Sequence, residues 1–140
     1  MLRVDFYVLT ATTPDARLSA ACRLVNKALA NGQRVYIQAE DDEQAAACDD
    51  WLWSYQPDSF IAHHRVGDGA FIAAPVLIAL KTPAEGDGIC LNLSTRQPQN
   101  LAQFQRLLEV VGSDEASKQA ARLRWQYYKH QGFSLEKHNL

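Results

Sequence analysis

The stretch 4-VDFYVLTATTPDARLSAACRLVNKALANGQRVYIQA-39 decides the fold. Its first six residues, VDFYVL, are rich in β-branched and aromatic side chains and read as a buried strand. Thr13-Pro14-Asp15 follows: a capping threonine, a proline at the first helical position, and an acid in the first turn. Leu18, Ala21, Cys22, Val25 and Leu29 then recur at helical spacing, which predicts an amphipathic helix over residues 14–30. Asn31-Gly32 closes it, because glycine takes the left-handed conformation at a helix end without steric cost. RVYIQA, residues 34–39, is the next strand. Strand, helix and strand with short joints make a βαβ unit and predict a parallel pair.

Further along, a helix is expected over residues 41–51, opened by Glu40-Asp41-Asp42-Glu43. Carboxylates there complement the helix dipole and cap free amides, a simpler account than a divalent-ion site. Pro57-Asp58-Ser59 reads as a turn, residues 60–62 as a short strand, and Gly67-Asp68-Gly69 as a loop. PVLIAL (75–80) and ICLNL (89–93) are two apolar strands, and the PAEGDG between them predicts a hairpin. Residues 101–108 read as helical, with Val110-Val111 either its end or a last strand. Ser113 caps a final helix that runs to about residue 131, where Gly132 stops it. No repeat or linker interrupts this order, so residues 1–140 are expected to form a single α/β domain with a largely parallel central sheet flanked by helices.

Composition and motifs then exclude whole classes of function. Hydrophobic residues make up 47% and charged residues 21%, enough for a folded core and too apolar for disorder. A net charge of −2 rules out an overall electrostatic attraction to DNA and confines any such role to a local patch. Cys22, Cys48 and Cys90 are scattered and form no Cys-x-x-Cys pair, so they read as buried thiols of a reducing cytoplasm. No run approaches the roughly 18 apolar residues of a membrane span, so a cytoplasmic protein without a membrane role is expected. The first βα turn, TATTPDA, has no glycine and places Asp15 where a pyrophosphate would sit, so no nucleotide-binding loop is expected. His63-His64 are adjacent, and neighbours in a strand point to opposite faces, which disfavours one shared metal. Neither a Walker motif nor a G-x-S-x-G elbow is present, and no catalytic residue, cofactor or metal is expected.

Two segments look like binding surfaces. Between Ser117 and His130 lie Lys118, Arg122, Arg124 and Lys129 with no acid among them. Lys118, Arg122, Trp125 and Lys129 are spaced 4, 3 and 4 and so stack on one helix face, while Ala116, Ala120, Leu123 and Tyr127 form a more apolar face suited to the core. A basic stripe with an indole can hold an acidic peptide with an aromatic end, and Phe133 beyond Gly132 can close such a pocket. On residues alone two other readings stay open: a solvated basic face that favours the helix C-terminus, and single-stranded DNA stacked on Trp125. The second segment is WLWSYQPDSF, residues 51–60, whose four aromatics serve either the core or the centre of a protein interface.

These segments carry a family resemblance. KQAARLRWQYYKHQGFSL and WLWSYQPDSFIAH, with VDFYVL, Gly32-Gln33-Arg34-Val35 and EDDEQA, resemble the chi subunit family of the bacterial DNA polymerase III clamp-loader assembly over residues 3–135. The resemblance implies a Rossmann-like fold without nucleotide chemistry and a non-catalytic adaptor in DNA replication. It implies two partners: the psi subunit, and the acidic, phenylalanine-terminated tail of single-stranded DNA-binding protein, with nucleic acid engaged mainly indirectly. In some members a helicase-like repair partner shares the psi surface. Arg122 falls at the family's key tail-binding arginine, Lys118 at a supporting basic position, and Trp125 where tyrosine is often found. Gln126 stands where a lysine is common, a lost charge that Arg124 or Lys129 is expected to replace. Gly132 and Phe133 match the family's end-of-helix pair, and Trp53, Pro57 and Phe60 fall on the psi-binding segment. The alternative is a module that binds single-stranded nucleic acid directly through the basic helix.

Overall fold

The computed structural model describes residues 2–13, 15–54, 63–65, 76–81 and 88–139. In chain order the elements are β1 (Arg3–Val8), α1 (Ala16–Ala30), β2 (Val35–Gln38), α2 (Asp42–Ser54), β3 (His63–Arg65), β4 (Val76–Ala79) and β5 (Ile89–Asn92). A 3₁₀ turn (Leu101–Gln103), β6 (Arg106–Val111), α3 (Glu115–His130) and β7 (Ser134–Asn139) complete the fold. The strands form one sheet in the order β3-β4-β2-β5-β6-β1-β7, and every described pairing is parallel. This is the expected α/β, Rossmann-like architecture.

Strand alternation divides the core into two layers. Val35, Ile37, Ile89, Leu91, Leu108 and Val110 point to the face covered by α1 and α2. Their neighbours Tyr36, Cys90, Leu107 and Val111 point to the other face, where Ala121 and Tyr128 of α3 and Phe104 cover them. Central strands buried on both sides explain the continuous apolar runs in the sequence. All three cysteines are buried and free. Asp41 opens α2 as a cap: its carboxylate accepts from the Gln44 amide (2.8 Å), while the Gln44 side chain accepts from the Glu40 amide (2.7 Å). Of the acids at this helix start, Asp41 caps with its carboxylate, while the Glu40 carboxylate accepts from the Thr95 amide and hydroxyl.

Several sequence expectations need correction. β1 and β2 are parallel but not paired; β5 and β6 lie between them. β4 and β5 do not form a hairpin, because they flank β2 on either side and run parallel to it. Residues 101–108 hold one 3₁₀ turn and then the start of β6, so the Val110-Val111 alternative resolves as strand. Asp114, not Ser113, caps α3, accepting from the Ser117 amide at 3.0 Å. A seventh strand follows Gly132 where none was expected. The short strand lies at His63–Arg65, while residues 60–62, the turn at 57–59 and the loop at 67–69 lie outside the described residues.

Candidate functional site: a charged cleft at the switch point of the sheet

The chain leaves β1 in one direction across the sheet, by way of α1, to reach β2. It leaves the adjacent β6 in the other direction, by way of α3 on the opposite face, to reach β7. Loops that part in this way open a crevice beyond the carboxyl ends of the two strands, the usual ligand position in open α/β sheets. A cavity of about 760 Å³ lies there. Phe6 and Val8 of β1 and Val111 of β6 give it an apolar base, and Thr10 and Thr12 follow from the loop after β1. Lys118, Arg122 and Trp125 of α3 form one wall, and Lys137 and Asn139 of β7 contribute the side of the sheet edge. Trp125 rests on Phe6, ring centroids 5.1 Å apart, so the indole is held half-buried against the base.

The cleft brings together three of the seven residues expected at the tail-peptide site: Lys118, Arg122 and Trp125. Arg124 is not with them. Its side chain is 6% exposed and turns into the protein, donating to Glu109 Oε2 (3.1 Å) and to the Thr95 carbonyl (3.0 Å). Its place on the binding surface is corrected accordingly: a buried carboxylate in β6 claims the guanidinium. Lys129 is exposed but does not line the cleft. Gly132 and Phe133 end the helix in a Schellman motif, Gly132 with φ +81°. The Gly132 amide donates to the Lys129 carbonyl and the Phe133 amide to the Tyr128 carbonyl, while the Phe133 ring packs on Tyr128. They fix where α3 stops instead of closing the pocket. Trp53 falls in the last turn of α2, and Pro57 and Phe60 lie outside the described residues.

The expected core face of α3 is also corrected. Leu123 is 75% exposed and Tyr127 43%, whereas Ser117, Ala121, Arg124 and Tyr128 face inward. Glu109 is the reason. It is fully buried and accepts from Arg124, from the Tyr128 hydroxyl (2.6 Å) and from Asn92 (2.9 Å). Burial pushes the Glu109 carboxyl above its ordinary range, against the pull of Arg124, Tyr128 and Asn92. Burial beside this acid likewise pushes the Tyr128 phenol up.

Two further polar groups bear on chemistry. At the ends of β2 and β4, Arg96 donates to the carbonyls of Ala39, Glu40 and Leu80, at 2.7–2.8 Å. Asp5, Glu136 and His138 bring ligand atoms within 4.8 Å of one another on the face away from α3. Arg106 (2.7 Å) and Arg3 (3.3 Å) already engage the Asp5 carboxylate, so two guanidiniums oppose a cation there. Burial pushes the Asp5 carboxyl up, but hydrogen bonds from Arg106 and His138 and the charges of Arg106 and Arg3 outweigh it and hold the group below its usual value. This network and Lys137 escaped the sequence reading, because SLEKHN has a single apolar residue and no alternation to mark it as a strand.

The cleft thus sets the cations of Lys118, Arg122 and Lys137 and the Trp125 indole over an apolar base at the switch point of an α/β domain. The chain belongs to the DNA polymerase III chi subunit family: the family model described as "DNA polymerase III chi subunit, HolC" matches residues 1–136. It is 38% identical to the DNA polymerase III subunit chi of Pseudomonas aeruginosa, over 100% of this chain and 98% of that one. Identity to the subunit of the same name from Escherichia coli is 32%, covering 96% of each chain. For the Haemophilus influenzae subunit it is 28%, over 97% of this chain and 96% of the relative. Among the described residues no helix is long and apolar enough to cross a membrane.

Proposed function

We propose that the chain serves DNA replication as a non-catalytic, cytoplasmic accessory subunit of DNA polymerase III, linking the psi subunit to the acidic tail of single-stranded DNA-binding protein. The observation that carries the tail site is the pairing of Lys118 and Arg122 with Trp125 over an apolar base. An acidic peptide ending in phenylalanine supplies the complementary parts: carboxylates for the cations and a ring for the Trp125–Phe6 surface. Arg124 acts indirectly, as the buried anchor of the helix, and Gly132 and Phe133 set its end. The psi contact rests on family resemblance and is assigned to Trp53, at the end of α2, with Pro57 and Phe60 beyond it.

Direct binding of bare single strands is the weaker reading. With Arg124 withdrawn into the core, the basic run on α3 loses one charge, and only Lys118 and Arg122 of that run line the cleft, in a protein of net charge −2. A strand-tracking surface needs an open basic groove with successive stacking platforms.

Fluorescence anisotropy with a labelled acidic peptide ending in Asp-Ile-Pro-Phe tests the proposal, beside the same peptide without its phenylalanine and a bare oligonucleotide. The expected Kd is on the order of 1 µM, about −8 kcal/mol, and weakens with salt. Arg122→Ala abolishes the binding while leaving thermal stability unchanged, and Trp53→Ala weakens psi and spares the peptide. Firm oligonucleotide binding without peptide binding would overturn the assignment.

A further inference from the structure

The cleft has a charged side that lies on no helix. β7 runs beside β1 with Phe6 opposite Lys137 and Val8 opposite Asn139. Side chains alternate along a strand, so Leu135, Lys137 and Asn139 share the face beneath α3 while Glu136 and His138 share the other. The packing follows this division. Leu135 joins the core layer that holds Tyr128, Lys137 and Asn139 line the cleft, and Glu136 and His138 meet Asp5 and Arg3 on the far side.

We propose that Lys137 is a third peptide-binding cation of this cleft, engaging the acidic ligand from the sheet edge while Lys118 and Arg122 engage it from α3. The assignment rests on the acidic-peptide reading above. Gln126, where the family often has a lysine, is exposed and does not line the cleft, and neither Arg124 nor Lys129 reaches it. Of the basic residues, Lys118, Arg122 and Lys137 do. The reverse face of β7 holds the strand in place for this role. His138 Nε2 lies 2.9 Å from Asp5 Oδ1, its ring stacks on Tyr7 at 4.7 Å, and Arg3 bridges to Glu136 at 3.1 Å. Lys137 therefore projects from an anchored backbone, and only its own side chain is ordered when a ligand binds. Cations on two elements favour a ligand whose charges are separated, such as a terminal carboxylate together with an acidic side chain upstream.

The test compares Lys137→Ala with Lys129→Ala, an exposed lysine on α3 whose loss changes net charge equally but lies outside the cleft. Both are titrated with the Asp-Ile-Pro-Phe peptide at low and moderate salt, beside wild type, Arg122→Ala and Lys137→Glu. Lys137→Ala is expected to weaken binding roughly five- to tenfold at low salt and to flatten its salt dependence, with Lys137→Glu weaker still. Lys129→Ala stays within about twofold of wild type, as befits a distant, screened charge. Equal effects of the two alanine variants overturn the Lys137 assignment, and if Arg122→Ala still abolishes binding the acidic-peptide reading survives. A wild-type protein that does not bind the peptide removes both.

Discussion

Replacing Arg124 with methionine keeps the aliphatic stem and removes the charge, leaving Glu109 with no cation in a site where its side chain is 0% exposed. Breaking a buried pair by deleting one partner costs about 3–5 kcal/mol, because the remaining charge is desolvated without compensation. For a chain of this length 1 kcal/mol corresponds to about 3–4 °C in Tm, so the variant should melt about 10–20 °C below wild type. The loss carries a pH signature. Burial already pushes the Glu109 carboxyl up, and without Arg124 the main opposing influence is gone. The folded variant then holds a proton that the unfolded chain, with an ordinary value of about 4.3, has released. Stability of the variant must fall as pH rises through the folded value, by up to about 1.4 kcal/mol per unit. Circular-dichroism melts near pH 5.5 and near pH 8 read this directly, with the larger deficit at the higher pH. Adding Glu109→Gln should recover part of the loss, since no unpaired charge then remains. By contrast Arg122→Met, at an exposed position, should stay within about 0.5 kcal/mol of wild type. An Arg124→Met protein melting within about 2 °C of wild type at both pH values would refute the reasoning.

Gly88→Ala should cost about 2–4 kcal/mol by chemical denaturation, since Gly88 has φ +78° and an added Cβ would collide with the Arg34 carbonyl; a neutral result would disprove the close approach. Because the Asp5 carboxyl is held below its usual value, its stabilising effect is complete above about pH 4 and lost as pH falls through the folded value. Asp5→Asn should therefore be less stable at pH 7 and show a flatter profile below pH 4; parallel profiles would count against it. Burial pushes Cys22 up to about 11 and Cys48 up to about 12, and Cys90 higher still, so a thiol reagent near pH 8 should leave all three unmodified in the native protein and label all three in denaturant.

The sequence made the element types in the first forty residues legible because strand and helix there differ in hydrophobic period, but the start of α1 was misread: it follows Asp15, without the side-chain cap expected of Thr13. The order of strands was not legible. Val76–Ala79 and Ile89–Asn92 pack on both faces of the sheet, so neither carries an alternation to reveal its neighbours, and a Gly-containing joint reads as a hairpin whether or not β2 lies between them. β7 escaped for the opposite reason: at the sheet edge, only Leu135 of SLEKHN belongs to an apolar layer. The cleft was half legible. Spacing alone put Lys118, Arg122 and Trp125 together, because i, i+4 and i+7 share a helix face. Lys137 comes from another element, and Arg124 was misplaced because its partner Glu109 lies fifteen residues away, beyond the reach of any local pattern.

α3 carries two almost interchangeable stripes. Ala116, Ala120, Leu123 and Tyr127 on one, and Ser117, Ala121, Arg124 and Tyr128 on the next, differ by a turn of about 100° about the helix axis. Judged by apolar content the first is the better core, yet the second is buried. The two differ decisively at one place, where leucine faces arginine, and Glu109 discriminates between them. The acid in β6 thus works as a key that admits one rotational setting of the helix and rejects the other. Arg122 points into the cleft only in the admitted setting, so a residue that never touches a ligand determines whether the binding wall exists. A chain lacking Glu109 would let the helix sample both settings, and the Trp125 ring would experience two environments in place of one.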